Sequence, residues 1–341
     1  MAIILHVEPQ APPMTREMFI KETPKGSIAL DGYVSAEPFF DPKTKHINFN
    51  HHEGVDRLAT RATCAQCLLA VREGMLDAFK NKDGALNVHI YVDDCDEDVC
   101  LSVFILKNHE IALRTSNSRF NRLVMMEDLL DTTSGAYDFP PSLRSLKELM
   151  WIFEPYHRFR LSVGYGSKNP FDYERVIAEV EKRIFQFLLG SGSIVELDTR
   201  YEVIGGGKGW TMVKETGLNA RVGIYSDGIR AFVSVRKMAD GRYSYVVGRR
   251  SLFVPFNVSA ILEVANAFEK ELYEKEKEGD DIIDEIASVG VTRARRRPLG
   301  ELIGLNEKWG GSELVGGGPR VHGSRITPEQ FSKIVEKNKK V

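Results

Sequence analysis

The apolar positions of this chain come first in short runs and then in a periodic stretch. Residues Ser27–Leu30 and His46–Phe49 are short apolar runs, each followed by polar residues, and both read as strands. The loop between them, over 36–45, holds Pro38 and Pro42, which break any helix there. From 55 to about 79, Leu58, Ala62, Ala65 and Leu69 recur at the spacing of a core-facing helical stripe. Residues 88–92 alternate like a buried strand. The chain then turns helical over 96–107, with Val99, Leu101, Val103 and Leu106 apolar.

Further along, the texture changes twice. Residues 142–192 read as helical: Leu143, Leu146, Leu149 and Met150 make one apolar face, and Val176, Ile177, Val180, Ile184, Phe187 and Leu188 another. The aromatics Trp151, Phe153, Tyr156 and Phe159 in this stretch are read as packing residues. From 194 on, runs rich in Val, Ile, Tyr and Phe predict strands in 201–215, 219–227, 229–237 and 243–251, with Asp227-Gly228 and Asp240-Gly241 as hairpin turns. Gly205–Gly209 lacks the ending of a phosphate loop and reads as a flexible hairpin. A helix over 259–277 ends in the charge run YEKEKEGDD, read as a solvated end.

These elements predict an α/β protein of two domains. A doubly wound, mainly parallel sheet domain (1–150) is joined by a helical connector (151–192) to a smaller α/β domain with a mixed or antiparallel sheet (193–341). A length of 341 residues fits two domains, each with its own core. The formal net charge of −2 gives no bulk attraction to nucleic acid or membrane. The apolar run 2–7 is too short for a signal peptide, and no later run is long enough for a span, so a cytoplasmic protein away from membranes is expected. Cys64/Cys67 and Cys95/Cys100 could be drawn as a zinc site. The first pair sits inside the expected helix among apolar neighbours, however, and reads as buried small residues.

Chemistry concentrates at the strand ends. Ligands of an open α/β sheet gather at the carboxyl ends of its strands, where Asp31 and the pair His51-His52 stand. At the next junction His89, Asp93, Asp94, Asp96, Glu97 and Asp98 crowd together. An acidic helix start accounts for one or two of these acids by capping and dipole. Five acids in six positions repel one another unless a cation neutralises them. Oxygen-rich ligands with one or two imidazoles suit manganese, magnesium or iron.

The segment DPKTKHINFNHH resembles the strand and His-His signature of the DHH phosphoesterase superfamily, and HIYVDDCDE resembles that superfamily's first motif. The nearest branch is the melanocyte-proliferating-gene type of nuclease. LLDTTSGAYDF resembles the motif carrying a last metal-ligating Asp. The resemblance implies that Asp31, His51, His89, Asp94, Asp96 and Asp131 hold one or two divalent ions, manganese or magnesium, with Asp128 one helical turn from Asp131 as a substitute. It implies that His52 and Asp94 serve catalysis. Two features depart from the pattern: Asn50 replaces the leading Asp of the motif, and the His-His segment precedes the D-x-D segment. Asn50 can orient a histidine by accepting a hydrogen bond but adds no negative charge.

The segment KWGGSELVGGGPRVHGSR resembles the glycine-rich substrate motif of the DHH-associated second domain. Glycines let backbone approach a ligand, and Arg320, His322 and Arg325 carry donors suited to phosphate. The implied grip is Gly316, Gly317, Gly318, Arg320, His322 and Arg325, facing the metal domain across a cleft. The basic cluster at 293–297, RARRR, is a further candidate phosphate contact. The expected function is metal-dependent hydrolysis of a phosphodiester in a short oligonucleotide or small nucleotide, by a possible homodimer. The competing expectation is a nucleotide- or nucleic-acid-binding protein on the same scaffold that does not cut; a third is an unrelated transferase or hydrolase.

Overall fold

The computed structural model describes residues 2–9, 11–12, 14–57, 59–162, 167–287, 308–319 and 322–340. Leu58, the 293–297 cluster and Arg320 therefore lie outside the described residues. The chain is α/β and forms two compact units, one of Met1–Gly135 with Ser142–Glu196, the other of Ala136–Pro141 with Leu197–Val341.

The first unit is built on five strands, β1 (Ala2–Val7), β2 (Ser27–Leu30), β3 (Phe39–Asp41), β4 (His46–Phe49) and β5 (Asn87–Val92). Their order is β1-β5-β2-β4-β3, all parallel except β3, which pairs antiparallel with β4. β2 and β4 are buried at every position, as expected of inner parallel strands covered on both faces. The expected boundaries of β2 and β4 are those observed.

The helices of this unit are α1 (Arg16–Glu22), α2 (Thr63–Arg72), α3 (Met75–Ala78), α4 (Glu97–Lys107), α5 (His109–Ala112), α6 (Ser118–Thr132), α7 (Arg144–Ser162) and α8 (Pro170–Leu188). On one face of the sheet Phe19 of α1 packs with Ala29, Tyr33, Val34 and Tyr91. α4 is buried around nearly its whole circumference, the mark of a helix enclosed by its neighbours.

The helix expected from 55 starts later, at Thr63, and breaks at Gly74. Residues 59–62 are not helical, and Leu69, expected in the stripe, is exposed, whereas Ala62 and Ala65 are buried. The cause lies outside the segment: the first amides of α2 are drawn to carboxylates on α4 and α6, which fixes where the helix begins.

The connector expected over 151–192 is part of the first unit. Val176, Val180 and Ile184 of α8 are buried, Phe185 packs edge-on to Phe104 of α4 at 5.2 Å, and Glu181 takes Lys107 and Asn108. Pro155 sits inside α7, where it has no N–H for the Trp151 carbonyl, and Arg183 of α8 supplies the missing donor. Phe153, Tyr156 and Phe159 are buried, in keeping with the packing reading. All four cysteines are free and buried.

The second unit carries a mixed sheet of β6 (Tyr201–Gly207), β7 (Trp210–Glu215), β8 (Ala231–Lys237), β9 (Tyr243–Arg249), β10 (Gly310–Gly311) and β11 (Val315–Gly317). The order is β10-β11-β9-β8-β7-β6, with only β7 and β8 parallel. Its helices are α9 (Ala220–Ser226), α10 (Val258–Ala287) and α11 (Pro328–Asn338). Trp210, Val233, Val247, Phe256, Trp309 and Phe331 lie in its core. The strand expected over 219–227 is the helix α9, so Asp227-Gly228 ends a helix instead of turning a hairpin. Ala220, Gly223 and Ile224 are buried at helical spacing, which overrides the β-propensity of Val, Ile and Tyr. The Asp240-Gly241 turn does join β8 to β9 as a hairpin. Among the described residues no helix is long and apolar enough to cross a membrane.

Candidate metal centre

β2 and β4 run parallel with Leu30 level with Phe49, so Asp31 and the residues after Phe49 leave the sheet together. Asp31 takes a left-handed backbone, φ 51°, with its N–H on the Phe49 carbonyl at 2.8 Å. Such a φ is tolerated best by Gly, Asn and Asp. Its carboxylate Oδ1 lies 3.2 Å from His51 Nε2 and 2.9 Å from His52 Nε2, and accepts from Thr63 Oγ1 at 3.1 Å.

His51 is buried and gathers two more acids. Asp131 Oδ2, from the last turn of α6, stands 2.8 Å from His51 Nε2, and Asp98 Oδ2, from the first turn of α4, 3.9 Å away. Asp98 also accepts the Thr63 and Cys64 amides at 2.7 Å each, capping α2 from another helix. Asp128, the alternative to Asp131, is turned instead to the Ala62 amide at 2.8 Å and to Arg61 at 3.0 Å. Asp131 is therefore the one that joins the group around His51, and Asp128 holds the helix start.

The other candidates fall around this centre or away from it. Asp96 is the N-cap of α4, accepting from the Val99 amide at 2.9 Å, and Asp94 accepts from the Cys95 amide at 2.7 Å. Both carboxyls are near enough to Asp31 for burial and its charge to push them up, but neither belongs to the groups that converge on His51. His89 is not brought in. It lies four residues before Asp93 in an extended strand, about 13 Å at ~3.3 Å per residue, and its Nδ1 meets His6 Nε2 at 3.0 Å. Asp98 is the ligand candidate that the sequence motifs passed over. Its signal was present in the acid run, since it follows Asp96 by two residues and so turns to another side of α4.

Asn50 is buried. Its amide donates to the Ala36 carbonyl at 3.0 Å and to Glu53, and its Oδ1 accepts from the His52 backbone N–H at 2.9 Å. It orients His52 through the backbone, as an accepting group can.

The electrostatics are those of a crowded acid site. Burial alone would raise Asp31, but His51 and His52 more than offset it and hold its carboxyl well below the usual range. Burial would lower His51, yet Asp131 and Asp31 push it up to about 10. Burial, then Asp131 and Asp31, push Asp98 up to about 7, and burial with Asp94 pushes Asp93 up to about 6. Glu127, one turn before Asp131, is buried and raised by desolvation and by Glu97 and Asp131. Acids that repel one another this strongly are relieved by a divalent cation.

Two sets of ligand atoms lie within 4.8 Å of one another: Asp31, His51 and His52, and His51, Asp98 and Asp131. His51 Nε2 and Asp131 Oδ2 are buried and close, yet neither has a hydrogen-bond partner of acceptable alignment. Oxygen and imidazole donors left in this way fit a shared ion. Asp31, His51, Asp98 and Asp131 could hold a metal ion.

The glycine-rich segment of the second unit has a packing task. Gly310 and Gly311 in β10 pair with Gly317 and Gly316 in β11. A Cβ on Gly316 would lie 2.3 Å from Leu262 Cδ1, and one on Gly317 2.7 Å from the Tyr245 carbonyl oxygen. Gly318 lies against the Trp309 ring. The Arg325 backbone N–H reaches Glu269 at 2.9 Å and its guanidinium reaches the same carboxylate at 3.4 Å, and the His322 carbonyl accepts from Arg242 at 3.3 Å. The glycines thus close a β-edge, and the Arg325 charge is met by Glu269.

No protein-family model, no curated protein and no solved structure matches this chain.

Proposed function

We propose that the first unit is a divalent-metal-dependent phosphoesterase centre, hydrolysing a phosphodiester of a small nucleotide or short oligonucleotide, with manganese or magnesium as the ion. The observation that supports it best is the convergence of Asp31, Asp98 and Asp131 on the buried His51 from β2, α4 and α6. A bound divalent ion would supply an activated water and offset charge at phosphorus. Asp31, His51, Asp98 and Asp131 would hold it. His52, with 39% of its side chain exposed, is the group able to donate to a phosphate oxygen from the open side. Thr63 Oγ1 keeps the Asp31 carboxylate turned inward.

Asn50 favours a second reading, a nucleotide-binding protein that does not cut. Where the resembled motif has an acid, this chain has a neutral amide committed to Ala36, Glu53 and His52. Elemental analysis of the purified protein, followed by hydrolysis of bis-(p-nitrophenyl) phosphate with added manganese, separates the two. Manganese bound and ester cleaved, with both lost in Asp98→Ala, is the expected result. Metal bound without cleavage selects the second reading, and no metal bound removes both.

A further inference from the structure

A phosphodiester is an anion, and the centre described above is ringed by acids. A cation held by Asp31, His51, Asp98 and Asp131 leaves Asp94 and Glu97 outside the ligand set, where they oppose the approach of a negative substrate. Two nearby arginines are ill placed to correct this. Arg61 is committed to Asp128 at 3.0 Å. Arg57 Nη2 stands 3.3 Å from Nδ1 of both His51 and His52, on the ring edge away from the Nε2 atoms that face the acids.

The flank formed by α7 is different. His157 and Arg160 are three residues apart on this helix and share a face. His157 Nε2 meets Glu97 Oε1 at 2.6 Å. Arg160 Nη1 donates to Tyr156 Oη at 2.8 Å, with the guanidinium 5.4 Å from the Tyr156 ring centroid. Tyr156 is itself buried, so it holds the guanidinium at a fixed height on the helix. Arg160 is exposed on the surface, and its charge acts on both Asp94 and Glu97. A guanidinium presents five donors in a planar fork whose geometry suits phosphoryl oxygens.

We infer that Arg160, with His157 beside it, is the anion-recognition element of this centre and takes a phosphoryl oxygen of the substrate; this rests on the phosphoesterase reading above. His157 quiets Glu97 by pairing with it, and Arg160 offsets Asp94 and supplies the donor. The element belongs to the same unit as the residues that would hold the ion.

The test uses the full chain loaded with manganese. Arg160→Ala should raise KM for bis-(p-nitrophenyl) phosphate and the inhibition constant of inorganic phosphate by about ten- to a hundredfold, the usual effect of losing one charge-assisted hydrogen bond. Its kcat should stay within about threefold and its metal content should match the wild type. Arg160→Lys should recover part of the loss, because charge returns without the fork. Tyr156→Phe, which removes the hydroxyl that Arg160 donates to, should shift both constants in the same direction by less, and it serves if Arg160→Ala does not fold. Unchanged phosphate inhibition in a folded Arg160→Ala that still cleaves ester overturns the inference and leaves the phosphoesterase reading intact. If the wild type cleaves nothing, equilibrium binding of inorganic phosphate decides: binding that Arg160→Ala abolishes upholds the anion element without the hydrolase, and binding that is absent or indifferent to Arg160 ends both.

Discussion

The carboxylate of Asp98, in the first turn of α4, accepts the backbone N–H of Thr63 at the start of α2, 2.7 Å away. The same carboxylate takes the Cys64 amide and stands near His51, so one side chain caps a helix and faces the candidate metal centre. Thr63 in turn donates to Asp31. The fold thereby links the start of α2 to two members of the group that could hold an ion.

Substitution at Asp98 should separate those tasks. Asp98→Asn keeps an acceptor for one amide and removes the negative charge, so the metal-free protein should stay folded while metal affinity falls. Asp98→Ala leaves two buried amides without an acceptor, at about 1–3 kcal/mol each. Urea unfolding in chelator, together with calorimetric manganese titration, checks both. Equal stability of the two variants would show that the amides find another partner.

Asn50 carries a second expectation. Its Nδ2 faces two acceptors, the Ala36 carbonyl and Glu53. Asn50→Asp would match the resembled motif but set a carboxylate against them, so we expect a loss of stability of about 1–3 kcal/mol, the size of a buried polar group left unpaired. Glu53→Gln in the same chain should recover part of it, since an amide can donate where Glu53 can only accept. A double-mutant cycle by thermal melting tests this; an Asn50→Asp protein as stable as wild type would mean that the segment rearranges.

Much of the centre was legible because parallel sheets gather chemistry at strand ends. Asp31 and His51 follow two short apolar runs whose limits the structure keeps, and Asp131 follows from its own motif. The role of Asp98 was not legible, because it depends on α4 meeting α2 across the fold, a contact with no local signature. The late start of α2 has the same cause: the apolar stripe continues upstream, but the amides of Ala62, Thr63 and Cys64 are held by Asp128 and Asp98. His89 misled because its position in a motif says nothing about how far down a strand it lies. In α9, period and β-propensity disagreed, and burial at helical spacing decided.

The glycines of β11 yield a third prediction. A Cβ at Gly317 would press on backbone, the Tyr245 carbonyl oxygen at 2.7 Å, which a side-chain rotation cannot relieve. Gly317→Ala should therefore cost about 1–3 kcal/mol, the range for overpacking a close contact. Phosphate affinity of the protein that remains folded should be unchanged if these glycines serve the sheet edge. A fall in phosphate affinity with unaltered stability would return them to the substrate grip that the motif implies.

The last prediction concerns pH. In the metal-free protein His51 is raised to about 10, so its contribution to stability is complete below its ordinary value and is lost as pH rises through about 10. Asp98 is raised to about 7, so the unfolded chain ionises first and the fold loses stability as pH climbs from about 4 through about 7. Asp31 is held low and acts in the opposite sense, its contribution present above the ordinary carboxylate range and lost only in more acidic solution. Between about pH 5.5 and about pH 8.5 the metal-free protein should thus become less stable as pH rises. Metal binding runs the other way, because it needs Asp98 ionised and His51 Nε2 without its proton. Affinity should rise with pH, by up to about tenfold per unit for each proton displaced. The difference in melting temperature between manganese-loaded and chelator-treated protein should then widen across that window. Calorimetry in buffers of different ionisation enthalpy should register proton release on manganese binding. A difference that stays flat or narrows toward high pH would mean that the ion, if bound, does not displace the proton of His51 or meet the carboxylate of Asp98.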